Sequence, residues 1–328
     1  MTSSAILFAS LCLALAAQTV TALVLPGTKT IVGRVSAGPI EISALGCGTW
    51  SWGNRLLWDY DPSQDEEIYR AYREIRDAGV TIFDTSRDSL GQFERRYLEE
   101  KSSSKSMFGL ERMLAMLATN SRVTRGSYVK ACKESLKRLE QDKLAIAQTH
   151  WSTANYNVFQ EGALGKLGKF SNRMKERNVP IAVAQVQYSL MTARNNEILD
   201  ACDDAGCRLI SYSPLCLGLL TGKYNLDNLP REGNPRRQLF RELLPGAQQL
   251  LGTLDAVAKD VGKTQSQVAI NWAISKGTVP IPGARNLQQA QENLGAVGWK
   301  LSNAAVQELD NASAGVNKKM IENIFQTR

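Results

Sequence analysis

With 328 residues and a net charge of +7, the chain is long enough for one large domain or two ordinary ones. A hydrophobic share of 43% and a charged share of 22% exclude a disordered or fibrous chain and predict a sizeable core. The basic residues are spread along the chain instead of forming a stripe, which argues against a nucleic-acid reader. Their densest group, Arg231, Arg236, Arg237 and Arg241, is expected to be a solvated or phosphate-facing loop.

From the N-terminus, Ala5 to Ala17 is almost wholly apolar but short for a bilayer span, and Val20-Thr21-Ala22 offers small residues for cleavage. Residues 1–22 are therefore expected to be a signal peptide, although no basic residue precedes the apolar run. Residues 23–40 carry Lys29 and Arg34, no acid and several hydroxyls, the pattern of a transit segment. Together they predict a plastid reached through the secretory route, with plain secretion as the alternative, and no stable membrane insertion once the signal is removed. The remainder, 41–328, has no linker or charge block that would divide it. Of six cysteines, Cys12 leaves with the signal. The spacing of Cys47, Cys132, Cys202, Cys207 and Cys216 suggests no disulfide framework, though Cys202 and Cys207 lie close enough for a local pair. A single histidine makes a Cys/His metal site improbable, and none is expected.

Beyond residue 41, compact apolar runs alternate with helical stretches. Strands are expected at Leu45 to Trp50, Val80 to Phe83, Met116 to Thr119, Leu144 to His150, Ile181 to Tyr188, Arg208 to Tyr212 and Thr278 to Ile281. Ser63 with Glu66 three residues on has the form of a capping box, opening a helix with Ile68, Tyr72 and Ile75 on one face and its end at Gly79. Further helices are expected at Arg125 to Leu139, Asn195 to Ala205, Leu250 to Val261 and Ser266 to Ser275. Strands alternating with amphipathic helices indicate a parallel sheet covered by helices. A doubly wound sheet is the competing fold, but no Gly-rich turn follows the first strand.

Functional side chains of a parallel barrel collect at the C-terminal ends of its strands. Those ends read Trp50, Asp84-Thr85, Thr119-Asn120, His150-Trp151, Gln185 to Tyr188, Tyr212-Ser213-Pro214 and Pro282-Gly283. Singly, His150 could be a structural hydrogen-bonding group and Asp84 a helix cap. In order and spacing, Leu45 to Trp50, Thr81 to Thr85, Gln148 to Trp151, Ile210 to Leu215, Leu219 to Tyr224 and Val279 to Asn293 resemble the aldo-keto reductases over nearly all of residues 42 to 328. Ser152 to Tyr156 and Lys318 to Arg328 look like plant and algal chloroplast members.

The resemblance implies an α/β fold, a TIM-type (β/α)8 barrel, and NADPH-dependent reduction of a small carbonyl substrate. Hydride passes from the nicotinamide to the carbonyl carbon, and a tyrosine tuned by a lysine and an aspartate supplies the proton, with a histidine orienting the carbonyl. Asp84 matches the aspartate and His150 the histidine. No tyrosine stands in Ser86 to Gly91, and Asn120 takes the place of the lysine. The stretch between Leu164 and Met174 is too short for the family's fifth strand, so the barrel is expected to be incomplete. Coding segments missing from the sequence, or degeneration of the gene, would each explain these gaps. For the cofactor, NADP, the resemblance assigns Thr49 and Trp50, the amide-binding Gln185, and Tyr212 as the ring stacked on the nicotinamide. Ser213, Pro214, Leu215 and Lys223 match the pyrophosphate loop, and Arg285, Gln289, Glu292 and Asn293 the adenosine end. Gln289 and Asn293 could instead be surface or capping residues. An inactive NADP(H)-binding barrel that serves as a sensor or docks a protein partner is the alternative function.

Overall fold

The computed structural model describes residues 31–86, 114–119, 146–149, 181–192 and 195–317, with single helical positions at 133, 136 and 176. Seven parallel strands form its centre. β3 (Cys47–Gly48), β4 (Ile82–Ser86), β5 (Leu114–Thr119) and β6 (Ile146–Thr149) make one ladder, and β7 (Val183–Gln187), β8 (Arg208–Tyr212) and β9 (Val279–Ile281) another. The two ladders are joined at their ends: the Gly46 N–H donates to Pro280 O at 2.9 Å and the Gly48 N–H to Pro282 O at 3.2 Å. The strand order is thus β7-β8-β9-β3-β4-β5-β6, with parallel pairing within each ladder. The expected loss of the fifth strand, between Leu164 and Met174, falls outside the described residues.

Glycine is required at the seam. A Cβ on Gly48 would lie 2.8 Å from the backbone oxygen of Ile281, and one on Gly46 would lie 2.6 Å from that residue's side chain. Gly48→Ala is therefore expected to push β3 off β9 and cost about 1–3 kcal/mol, the usual penalty of overpacking. Urea unfolding of the two proteins checks this, and an unchanged midpoint would contradict it.

Side-chain alternation sets what each face sees. On β4, Ile82 and Asp84 share one face, while Phe83 faces outward and meets the Tyr72 ring at 5.2 Å. Ile82 joins Ile210, Val279 and Ile281 in a fully buried cluster that is closed from below by Ala37 and Ile42. Those last two belong to an N-terminal hairpin, β1 (Arg34–Ala37) and β2 (Ile40–Ser43), for which the sequence reading made no provision. Ser43 N–H donates to Thr81 Oγ1 at 3.0 Å and Arg208 Nε to Ser36 O at 3.0 Å, tying the hairpin to the strand starts. Val32, 1% exposed, packs in the cluster under the first helix. Residues 32–40, expected to be transit segment, are thus part of the folded unit, because apolar side chains there plug the barrel floor.

The helices cover the outside. α1 (Asp65–Asp77) buries Ile68, Ala71, Tyr72 and Ile75 as its periodicity predicts. The expected capping box at Ser63 does not form. Pro62 opens a short 3₁₀ turn instead, and Asp61 caps it by accepting from the Ser63 N–H. α2 (Asn195–Ala205) agrees with expectation, whereas α3 (Pro235–Asp260) begins well before Leu250. α4 (Gln265–Ser275) carries the real capping box, between Thr264 and Gln267. α5 (Leu287–Leu294) and α6 (Asn303–Ala314) complete the set. α6 is fastened to α4 by Trp272 Nε1 and Lys276 Nζ, which donate to the two oxygens of Asp310 at 2.8 and 2.9 Å. Cys47, Cys202, Cys207 and Cys216 are buried free thiols, so Cys202 and Cys207 are not bonded here. Cys132 lies outside the described residues. No described helix is long and apolar enough to cross a membrane.

Candidate active site

Asp84, Gln185 and Tyr212 converge at the C-terminal mouth of the sheet. Tyr212 ends its strand while Asp84 and Gln185 are central in theirs, and each shares a strand face with the apolar residue two positions before it, Ile210, Ile82 and Val183. Gln185 Nε2 donates to Asp84 Oδ2 at 3.1 Å. β4 and β7 are not neighbours in the ladder, so this bond spans the interior. Burial pushes the Asp84 carboxyl up to about 6, and the amide hydrogen bond only partly opposes that. Gln185 Oε1 is a buried acceptor with no partner among the described residues. Thr49 packs beside them and anchors the backbone of β4, with its N–H and Oγ1 both bonded to Asp84 O, at 2.9 and 2.7 Å.

After β8 the chain turns through an unusual backbone. Ser213, Cys216 and Leu217 have φ of 51°, 51° and 56°, and Gly218 and Gly222 follow at 101° and 73°. Three non-glycine residues in the left-handed region within five positions store strain of the order of 1 kcal/mol or more each. The turn is closed by its own backbone, with the Cys216 N–H donating to Ser213 O and the Gly218 N–H to Leu215 O, both at 2.9 Å. Pro214 is buried, Leu215 is half-buried and Lys223 is exposed beside the Tyr224 ring at 5.4 Å.

The turn after β9 faces the loop after β3. Arg285 Nη1 donates to Trp58 O at 2.7 Å, and Gln289 Oε1 accepts from the Arg285 N–H at 2.9 Å. Asn293 Nδ2 donates to Gly283 O at 3.2 Å, while Asn286 caps α5. Gln289 and Asn293 thus hold the 283–285 turn in shape; they are neither merely surface residues nor the cap. Glu292 accepts from Thr264 Oγ1 and is turned toward α4. Trp50 meets Trp58 edge-on at 6.4 Å, and Trp52 Nε1 donates to Ala284 O at 2.6 Å, so the two loops form one wall.

Of two further residues of this wall, Trp58 was not singled out from sequence and Arg236 was named only as one of a basic group. Trp58 lies in the single helical turn Arg55–Trp58, and Arg236, 7% exposed, lies in the first turn of α3. The Arg231 to Arg241 group was expected to be solvated or to face phosphate, yet Arg236 is buried against Trp58. A signal existed in the density of rings from Trp50 to Tyr60. His150 and Asn120 lie outside the described residues, as do Ser152 to Tyr156 and Lys318 to Arg328. Among the described residues no three His, Cys, Asp or Glu side chains gather to hold a metal.

The residues present fit a dinucleotide: an open buried amide acceptor, a half-buried ring, a left-handed amide turn and a guanidinium follow one another along the mouth. A family model described as the aldo/keto reductase family matches residues 44–170 and 165–314. The chain belongs to the aldo/keto reductase family. Members of this family are NADP-dependent oxidoreductases that act on small carbonyl compounds. The chain is 41% identical to a chloroplastic pyridoxal reductase of Arabidopsis thaliana over 90% of each sequence. It is 27% identical to a probable aldo-keto reductase of Glycine max, over 83% of this chain and 86% of that one. Among solved structures, glycerol dehydrogenase from Gluconobacter oxydans superposes with a TM-score of 0.66 at 19% identity, covering 91% of this chain and all of that one. A silkworm aldo-keto reductase complexed with NADPH superposes at 0.59 and 21%, over 87% and 88%. These matches show the TIM-barrel fold.

Proposed function

We propose that the chain binds NADP(H) across the barrel mouth and slowly reduces a small aldehyde, without the family's usual tyrosine and lysine. The observation that carries this reading is the convergence of Asp84, Gln185 and Tyr212 beside the left-handed 213–218 turn. Bound there, NADPH would supply hydride. Gln185 Oε1 would accept from its carboxamide, Tyr212 would cover one face of its ring, and the 213–218 turn with Lys223 would meet the pyrophosphate. Arg285, held by the Trp58 carbonyl and by Gln289, would meet the 2′-phosphate. Asp84 and His150 are the two tetrad positions the chain retains; Asn120 and the tyrosine-free Ser86 to Gly91 leave the other two unfilled. The likeness to a pyridoxal reductase makes pyridoxal the first aldehyde to assay. The same relative supports a plastid location, and the burial of Val32 supports any cleavage falling before that residue. A second reading, an NADP(H)-binding barrel without catalysis, is favoured by the same unfilled positions.

Titrating NADPH and NADH by quenching of tryptophan fluorescence tests the cofactor part. Arg285→Met is expected to weaken NADPH about tenfold or more, the worth of a hydrogen bond to a charged group, and to leave NADH unchanged. Equal affinities of the wild type for the two cofactors would overturn the assignment.

A further inference from the structure

The end of α2 meets the start of β8 in a turn whose two facing side chains are both cysteines. The Gly206 N–H donates to Asp203 O and the Cys207 N–H to Cys202 O, both at 3.0 Å, and Gly206 stands in the left-handed region at φ 65°. This paired closure ends a helix on a glycine. It brings the residue after the glycine against the one three positions before the cap, and those two side chains ordinarily make an apolar contact. Here they are Cys207 and Cys202, and their thiols touch, with the Cys202 S–H donating to the Cys207 sulfur. The pair is covered by one turn only: Asp203, Asp204 and Gly206 around it are exposed, and Cys207 itself is 8% exposed.

The other described cysteines differ. Cys47 and Cys216 lie deeper, and burial pushes both thiols up to about 12, so they stay protonated and inert. Cys207 is shifted the opposite way, first by the S–H of Cys202. Its place in the fold also matters. Arg208, the next residue, donates from Nε to Ser36 O at 3.0 Å and from Nη1 to Gly277 O at 2.9 Å. The two cysteines therefore sit where α2, β8, the N-terminal hairpin and the approach to β9 are fastened together. The strand starts are the face of such a barrel that carries stability, not chemistry.

We propose that Cys202 and Cys207 are a redox modification site: an external disulfide oxidises them to an intramolecular disulfide that locks the end of α2 onto the start of β8. The Cys207 thiolate attacks one sulfur of the external disulfide, forming a mixed disulfide and releasing one thiolate. Cys202 then loses its proton, attacks the Cys207 sulfur and expels the second thiolate. Two protein thiols are oxidised and one external disulfide is reduced to two thiols, and a dithiol reductant reverses the exchange. The sulfurs must close from contact to about 2 Å, across a turn whose backbones are already hydrogen-bonded. The bond then removes freedom from the unfolded chain, so the oxidised protein is the more stable one. This proposal is independent of the NADP(H) reading.

The test incubates the reduced full chain with glutathione disulfide, alkylates the remaining thiols in urea and maps the tryptic peptides by mass. Cleavage after Arg194 and Arg208 leaves both cysteines on one peptide. That peptide is expected to be lighter than its reduced form by two hydrogens and to take up no alkyl group, and dithiothreitol is expected to restore both thiols. The oxidised chain is expected to melt about 3–6 °C above the reduced one. Cys202→Ala is expected to trap glutathione on Cys207, since nothing is left to expel it. Two alkylated thiols after the incubation would reduce the pair to apolar packing and overturn the proposal, as would a bond from either cysteine to any other. A disulfide that forms without raising the melting temperature overturns the lock. These readings compare oxidised with reduced wild type, so they stand even where Cys202→Ala fails to fold. A folded Cys202→Ala chain with no glutathione on Cys207 overturns the order of attack.

Discussion

Supplied with NADPH and pyridoxal, the wild-type chain is expected to oxidise the cofactor about 10²–10⁴-fold more slowly than aldo/keto reductases that carry the tyrosine and lysine, the usual worth of a positioned acid. That range corresponds to about 3–5.5 kcal/mol of barrier. A phenol near its ordinary pKa of about 10 needs a neighbouring cation to donate well at neutral pH, and the proposed reading leaves both the phenol and the ammonium positions unfilled. What remains is positioning: a cofactor held at the mouth beside a bound aldehyde still gains from proximity, so turnover is expected to be slow but above background. On that reading Asn120→Lys alone should restore little, because it would have no tyrosine to tune and residues that act as a unit do not contribute additively. Single-turnover loss of NADPH fluorescence is the measurement. A rate within about tenfold of the complete enzymes would sink the reading and direct attention to another donor. Tight NADPH binding with no turnover at all would select the non-catalytic reading.

Most of the barrel was legible in the sequence because buried parallel strands are short apolar runs, and these survive one-residue errors at their ends. Arg208 to Tyr212 was placed without error, and Val80 to Phe83 was displaced toward its start. The hairpin at Arg34–Ser43 was hidden by composition: Lys29, Arg34 and the hydroxyls imitate a transit segment, and only the packing of Ala37 and Ile42 against Ile82 and Ile210 reveals a barrel plug. The two capping-box motifs teach the same lesson at shorter range. Ser63 and Thr264 both stand three residues before Glu or Gln, but Pro62 and Asp61 divert the first into a 3₁₀ turn, while the second meets its partner.

The site divides in the same way. Residues that act from a strand, Asp84, Gln185 and Tyr212, can be read from position and parity alone. Trp58 and Arg236 cannot, because they matter only once the loop after β3, the start of α3 and the turn after β9 are brought together across more than two hundred residues of sequence. The basic group around Arg231 looked uniform as sequence, yet in the fold one member pairs with Asp59 and another lies buried on an indole.

Asp84→Asn is expected to stabilise the empty protein by about 1–3 kcal/mol near pH 7.5 and to have little effect near pH 4. The folded chain holds the Asp84 proton up to about 6, against 3.8 for an ordinary aspartate. Between those values the folded state binds more protons than the unfolded one, so stability is complete below the unfolded value and falls as pH rises through about 6. Above that, the native protein carries a poorly solvated carboxylate whose described hydrogen bond is the one from the Gln185 amide. Asparagine fills the same volume, can accept the same bond through its carbonyl and never ionises. Urea unfolding of both proteins at the two pH values reads the difference directly. A variant no more stable than wild type near pH 7.5 would mean that a cation compensates the carboxylate after all. A gain at high pH would identify Asp84 as a group kept at the mouth at the expense of stability, which is how a residue retained for chemistry behaves, and a purely structural one does not.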